Sequence, residues 1–566
     1  MGRPSMLSGS GAQILVQSLL AQGVGHVFCV PGESHLSVID ALYDVRDQVK
    51  LIVCRHESGA SNMADAYGKL TGQPGIALVS RGPGATNASI GIHTAFQDST
   101  PLILLIGQVR RDFADREAFQ EIDFRRMFGQ MAKLVAQIDD PKRIPEYVNH
   151  AFHAATAGRR GPVVLALPED MLAEAAQAPG VPHYHRVAAA PSPEQMSRLA
   201  SILGGARRPI AILGGSGWTA EACANLRGFA ESWQLPVACA FRFQDLLDND
   251  HPQYAGDVGI GINPKLARRI AEADVALAIG PRLGEMTTGG YTLFEVPVPR
   301  QTLVHVHAGA EELGRVYAAD LPINSGMPEI ASALSQLRPA ATPPWSADTA
   351  AARADYVAWN APVKVEGPLQ LAEILKLLRK RLPADAIVAN GAGNFSAWVH
   401  RFHRYRGFKS QVAPTSGAMG YGVPAAIAAK ALHPDRMVVA FVGDGDFLMT
   451  GQELATAMHH QLPVIVVMVN NGIYGTIRMW QERSYPGRVH GTQLTNPDFA
   501  AYARSFGAFG EIVETTEQFS PAFERAVASG VPALLELRLS EELITPNTTL
   551  SAIREQALKR RGTGKA

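Results

Sequence analysis

Short apolar runs of strand length recur along this chain, each followed by an amphipathic stretch long enough for a helix. That rhythm restricts the fold to parallel α/β architecture, because parallel neighbours need a crossover of helix length between them. In the first third the runs are His26–Val30, which ends in the turn Pro31-Gly32, then Gly75–Ser80, Leu102–Ile106 and Pro162–Leu167. The middle third carries Pro209–Leu213, Val275–Ile279 and Leu303–Val306. The last third carries Ala386–Ala389, Met437–Val442, Pro463–Val469 and Ala533–Leu537. Two stretches break the rhythm. Ala173–Pro193 and Pro339–Gly367 are rich in alanine and proline and lack periodicity, which marks linkers. The 566 residues are therefore expected to form three α/β domains, each a mainly parallel sheet flanked by helices, over 8–172, 192–338 and 368–545.

Composition narrows the class of protein. Lysine plus arginine and aspartate plus glutamate both number 52, so no global field draws the chain to nucleic acid or an anionic membrane. The four cysteines (Cys29, Cys54, Cys223, Cys239) have no CxxC spacing, and all but Cys223 lie in apolar runs. They read as reduced, buried thiols of a cytoplasmic protein, with neither a disulfide frame nor a zinc site. The leading MGRPSMLSGSGAQ lacks a signal-peptide core, and no stretch reaches about eighteen uninterrupted apolar residues.

The most informative segment is MVVAFVGDGDFLMTGQELATAMHHQLPVIVVMVNNGIYGTI. A buried strand runs into Gly443-Asp444-Gly445, and a second delivers Asn470-Asn471, with 446–469 between them. Parallel strands end on one sheet edge, so Asp444 and Asn471 can meet across the crossover. A carboxylate and an amide oxygen, with the main-chain carbonyl of Ile473, suit a hard cation such as Mg²⁺. The glycines let backbone N–H groups approach a diphosphate where the next helix begins, beside Asp446 and Tyr474. Either signature alone is an ordinary turn; both at this spacing on two buried strands form a thiamine diphosphate fingerprint.

On these motifs the chain resembles the acetolactate synthase-like branch of thiamine diphosphate-dependent enzymes over nearly its whole length. The resemblance implies a pyrimidine-binding first domain, a Rossmann-like middle domain and a diphosphate-binding third domain. It carries the catalytic glutamate onto Glu57 in LIVCRHESGASNMADAYGKLTG, where small residues are expected to let a neighbouring domain pack closely. That acid would hold a proton at the pyrimidine ring nitrogen. In PTSGAMGYGVPAAIAAK, Met419 becomes the wedge that bends the cofactor, and the Gly417 carbonyl and Met419 N–H hold the pyrimidine edge. Asn390 to Ser396 fits the other diphosphate loop; the family often has GQHQ where this chain reads GNFS, so Gly391, Asn394, Phe395 and Ser396 are its candidate contacts. Pro31 and Gly32 are carried over as cofactor contacts of the first domain.

The pocket is where the match weakens. Phe119 and Gln120 in EAFQEIDFRRMF coincide with family pocket positions, Gln120 orienting a carbonyl or the cofactor amine, and Trp480 falls where a tryptophan limits acceptor size. The alternative for Trp480 is packing within an amphipathic helix. Thr476 lies on the same segment. The family's RFDDR, whose last arginine grips the acceptor carboxylate, is here replaced by a segment with Met286, and a thioether cannot hold a carboxylate unless Arg81, Arg282 or Arg478 substitutes. Arg81 stands in place of a small residue before Gly-Pro-Gly. LVHVHAGA ends in histidines where nucleotide-binding relatives show an acid, so FAD in the middle domain stays open. His93 is a candidate for proton transfer; His459-His460 reads as a solvated mid-helix pair.

The resemblance implies decarboxylation of a pyruvate-like 2-keto acid and ligation of the fragment to a carbonyl acceptor, by a transferase or lyase needing thiamine diphosphate and Mg²⁺. Rivals are a non-ligating decarboxylase, a 2-hydroxyacyl-CoA lyase and a catalytically silent regulatory homologue. In the family each site is built between two subunits, so a homodimer or homotetramer is expected.

Overall fold

The protein is described by a computed structural model covering residues 5–562; residues 1–4, part of the leading stretch read above, lie outside them. The chain divides into two compact units, meeting in sequence at Ala189 and Ala190.

The first unit holds β1 (Met6–Ser10), β2 (His26–Cys29), β3 (Lys50–Val53), β4 (Gly75–Val79), β5 (Leu102–Gln108), β6 (Leu134–Gln137), β7 (Pro162–Pro168) and β8 (Ala175–Pro179). Six of them form a parallel sheet in the order β3-β2-β4-β5-β7-β6. Every residue of β4, β5 and β7 is buried, which is why these strands read as unbroken apolar runs. β1 and β8 pair antiparallel, Ser10 opposite Ala175. The first expected linker therefore begins as a strand. Only Ala178 of β8 is buried, so the sequence carried no alternation to read, and backbone pairing holds it.

The second unit holds two parallel six-stranded sheets. One contains β9 (Pro209–Leu213), β10 (Val237–Cys239), β11 (Tyr254–Asp257), β12 (Val275–Ile279), β13 (Thr302–His307) and β14 (Leu321–Asn324), ordered β11-β10-β9-β12-β13-β14. The other contains β15 (Ile387–Asn390), β16 (Gln411–Val412), β17 (Val438–Gly443), β18 (Ile465–Asn470), β19 (Phe509–Val513) and β20 (Ala533–Arg538), ordered β16-β15-β17-β18-β20-β19. The second expected linker is corrected too, because it contains the helix Ser346–Trp359. Thr349, Ala352 and Tyr356 form its buried stripe, and Tyr356 meets Tyr254 edge-on with ring centroids 4.9 Å apart. The Trp345 indole N–H donates to the Trp233 carbonyl at 3.0 Å. A stripe of one aromatic and small residues gives a weak apolar signal.

In each sheet the chain turns outward in both directions from two central strands: β2 and β4, β9 and β12, β15 and β17. Ligands of parallel α/β sheets bind where the strand order so reverses, beyond the carboxyl ends. His459 ends the helix Leu454–His459, so the histidine pair is at a helix terminus and not mid-helix. Among the described residues no helix is long and apolar enough to cross a membrane.

Candidate active site

β17 and β18 are neighbours, Gly443 opposite Val469, and their ends bring Asp444 to the Asn470–Gly472 loop. The Gly472 N–H donates to Asp444 Oδ2 at 2.9 Å, and Asn496 Nδ2 donates to the same oxygen at 2.7 Å and to Asn470 Oδ1 at 3.0 Å. Burial pushes the Asp444 carboxyl above its ordinary range, against the donors that oppose it, Asn496 first. Sequence reading missed Asn496, which follows no motif and reaches the site from a separate loop. Its Oδ1 is buried without a donor, an acceptor left over beside a buried carboxylate. Asn471 is half-buried, and the Ile473 side chain is anchored against Ile544, Leu550 and Ile553, which fixes the backbone there. Among the described residues no three His, Cys, Asp or Glu gather as a metal cluster. One carboxylate with amide and carbonyl oxygens instead fits a hard cation.

Across the reversal point, β15 leads into the Asn390–Ser396 loop. A Cβ on Gly391 would collide with the Asp446 carboxylate, so the loop passes only as glycine. Asp446 is 2% exposed and accepts N–H bonds from Gly420 at 2.7 Å and from Ala392 and Gly443 at 3.4 Å. It thus ties three loops together and faces inward, and burial pushes its carboxyl up to about 7. The other expected contact residues also have partners within the protein. Asn394 Oδ1 accepts from the Thr476 hydroxyl at 2.8 Å, so both residues brace the loop against the helix Gly475–Ser484. The Ser396 hydroxyl accepts from Asn390 Nδ2 at 3.0 Å, and Phe395 packs over Gly443. Tyr474 packs over Gly445 in the same way. Gly417 (φ 70°) is exposed with nothing near its Cα face, and Met419 beside it is half-buried.

In the first unit Glu57 opens the helix Glu57–Thr71, where His56 Nδ1 caps the Ser58 N–H at 3.1 Å. Its Oε2 accepts from Asn87 Nδ2 at 2.9 Å. Asn87 was not legible as a partner, being thirty residues away on the helix Gly82–Asp98. A Cβ on Gly84 would stand 3.3 Å from Glu57 Oε1, so glycine keeps that side of the carboxylate open. Small residues behind Glu57 also pack within their own unit: Ser61 meets Gly91, Ala64 meets Gly75 and Gly68 meets Pro101. Pro31 is exposed, while the Gly32 N–H donates to His35 Nε2 at 3.2 Å. Burial holds His35 neutral at about 4 and, with the Glu57 charge, pushes the Cys29 thiol up to about 12. The Gln120 carbonyl accepts from the Gly82 N–H at 3.0 Å, with Gln120 at φ 66°. Phe119 is 77% exposed, and His93 lies on the exposed face of its helix.

Each arginine considered as a carboxylate grip is already paired. Arg81 meets Glu169, Arg282 meets Glu312 and Arg478 meets Glu482, each at 3.3 Å. Met286 is half-buried in a loop after β12. Trp480 is 52% exposed with the Arg483 guanidinium 4.6 Å from its ring centre, so it is not part of its helix's packed face.

Comparison with known proteins agrees with these sheets. Residues 9–127, 196–334 and 391–537 match "Thiamine pyrophosphate enzyme" as its N-terminal TPP binding, central and C-terminal TPP binding domains. The chain is 30% identical over 558 residues to the acetolactate synthase isozyme 2 large subunit of Escherichia coli (strain K12), covering 97% of this chain and 100% of that protein. It is 30% identical over 552 residues to the acetolactate synthase large subunit of Lactococcus lactis subsp. lactis (strain IL1403), covering 94% and 93%. It is 30% identical over 549 residues to the probable acetolactate synthase large subunit of Methanocaldococcus jannaschii, covering 93% and 91%.

Proposed function

The chain belongs to the thiamine diphosphate-dependent, acetolactate synthase-like enzymes, and we propose that it decarboxylates a pyruvate-like 2-keto acid and joins the fragment to an uncharged carbonyl acceptor. The observation that carries the reading is the meeting of Asp444 with the Asn470–Gly472 loop beside the leftover acceptor of Asn496. Bound thiamine diphosphate supplies a carbanion for attack on the keto carbon and an electron sink for loss of CO₂.

This chain's residues hold and orient. Asp444, Asn471 and the Ile473 carbonyl would bind Mg²⁺, leaving its other positions for diphosphate oxygens. Backbone around Gly391, Gly443 and Gly445 would take the diphosphate. Glu57 would hold a proton for the pyrimidine ring, and Met419 would pack against the bound cofactor. Met286 and Trp480 are the second unit's candidates for the acceptor side, and Phe119 and Gln120 are those of the first unit. The uncharged acceptor rests on the thioether at Met286 and on the carboxylate partners of Arg81, Arg282 and Arg478. No step of this reaction needs flavin. Half-buried Glu57 motivates a further reading: a homodimer or larger homomer completes the site. The reduced, mostly buried cysteines motivate a cytoplasmic assignment.

Purified protein given pyruvate and other 2-keto acids, with and without aldehydes, is expected to yield ligated products by NMR. Free aldehyde as the only product would overturn ligation, and no CO₂ from any keto acid would overturn decarboxylation. Absorbance of the active protein in the visible range is expected to be featureless; a flavin band would add that cofactor. Sedimentation is expected to show a dimer or tetramer, and an active monomer would refute a shared site.

A further inference from the structure

Arg242 follows β10 and takes no part in the reading above. Its φ of 64° lies in the left-handed region, where a side chain other than glycine is costly. Its guanidinium is buried, the residue being 6% exposed, and lies 5.0 Å from the centre of the Phe241 ring. Both features are unfavourable unless the fork has partners that matter. Nη1 donates to the Pro414 carbonyl at 2.6 Å. Nη2 donates to the Gly391 carbonyl at 2.8 Å and to the Ser396 hydroxyl at 3.3 Å.

These acceptors belong to two different loops of the last sheet. Gly391 and Ser396 lie on the Asn390–Ser396 loop, and Pro414 opens the segment that leads to Gly417 and Met419. The peptide between Gly391 and Ala392 is held from both sides, its carbonyl by Arg242 and its N–H by Asp446. Since a peptide is planar, holding both ends fixes its orientation. We infer that Arg242 is a positioning residue for the cofactor: one rigid fork from the middle sheet sets the spacing of the diphosphate loop and the pyrimidine loop before the cofactor arrives. The middle domain then contributes to cofactor affinity instead of acting as a spacer. This rests on the proposed cofactor roles of those two loops. A bidentate guanidinium suits the task because its donors lie in one plane, which an ammonium cannot reproduce.

The test uses the full-length protein, titrated with thiamine diphosphate at fixed Mg²⁺, alongside hydrogen exchange of the cofactor-free form. Arg242→Met is expected to raise the cofactor Kd by at least about tenfold and to speed exchange in 390–396 and 413–420 together. Exchange in β9 and β12, and kcat at saturating cofactor, are expected to stay close to wild type. Arg242→Gly relieves the left-handed backbone while deleting the fork, so it separates conformation from side chain; it is expected to weaken binding as Met does. Wild-type Kd in either variant overturns the inference. If both fail to fold, Arg242→Lys decides: intermediate Kd and exchange support the fork, and wild-type values of both overturn it. Wild-type protein that binds no thiamine diphosphate sinks the proposed site, and exchange in the two loops still reads the tie made by Arg242.

Discussion

The two sheets of the second unit share an architecture and differ at their reversal points. Beyond β15 and β17 the loops are drawn together by the Asp446 carboxylate, and at the adjoining end of β18 Asp444, Asn470, Asn471 and Asn496 gather with an acceptor to spare. Beyond β9 and β12 the two glycine turns close on each other, since a Cβ on Gly215 would collide with the Gly280 carbonyl. The neighbouring strand β13 ends in His305 and His307, both buried, and His305 Nε2 lies 3.0 Å from the Pro281 carbonyl. Burial holds His305 at about 4, so it is neutral. One reversal point is bordered by polar oxygen groups and side chains packed over its glycines; at the other, backbone turns meet backbone directly. A fold supplies the position of a site, and the residues at strand ends decide whether it is used.

Four substitutions sharpen or break this contrast. Asp444→Ala carries the largest expected effect, a loss of about a thousandfold in turnover with loss of Mg²⁺-dependent cofactor retention. Calorimetric titration checks it, and unaltered binding would remove the metal assignment. Glu57→Gln, in the first unit, is expected to retain cofactor while turnover falls by about a hundredfold or more. Wild-type rates in that variant would refute its proton-holding role. On the closed crevice, Gly215→Ala meets both a backbone clash and a φ of 73°, so it is expected to cost about 2–3 kcal/mol of stability. Denaturant unfolding measures that, and cofactor affinity of the folded fraction is expected to be unchanged; a large affinity loss would mean the two crevices are coupled there.

The last effect is on pH dependence and is confined to acid conditions. His305 is held neutral in the folded chain, whereas an unfolded imidazole gains its proton near 6.5. Its contribution is therefore present above about pH 6.5 and is lost as pH falls toward about 4, amounting to ~3 kcal/mol at most. His305→Gln is expected to flatten thermal stability between pH 7 and 4.5. An unchanged slope would remove His305 as a source of acid sensitivity.

How legible the molecule was in its sequence depended on burial and on distance along the chain. β4, β5 and β7 announced themselves because both faces are covered, so nearly every residue is apolar, Gln108 at the end of β5 excepted. β8 and the helix Ser346–Trp359 did not, because few of their residues are buried and most of those are small. Asp444 and Asn471 were readable as a pair because one crossover separates them. Asn87, Asn496 and Arg242 were invisible, since their partners come close only after the sheets have formed. Asn394 and Ser396 show the opposite case: a motif position suggested a contact with the cofactor, and the structure adds hydrogen bonds within the loop and to its neighbours that the sequence did not show.

The inward-facing carboxylate of Asp446 has a consequence for how such a site can be altered. Three loops draw on that one acceptor, and Gly391 gives way to it, so none of them has an independent shape. Transplanting the Gly443–Asp446 segment alone from a relative without this carboxylate would leave the two other loops built for a partner that is gone. The three segments are a unit of exchange: a graft that carries Gly391–Ser396, Gly417–Gly420 and Gly443–Asp446 together keeps donors and anchor matched, and one that swaps the Asp446 segment alone does not.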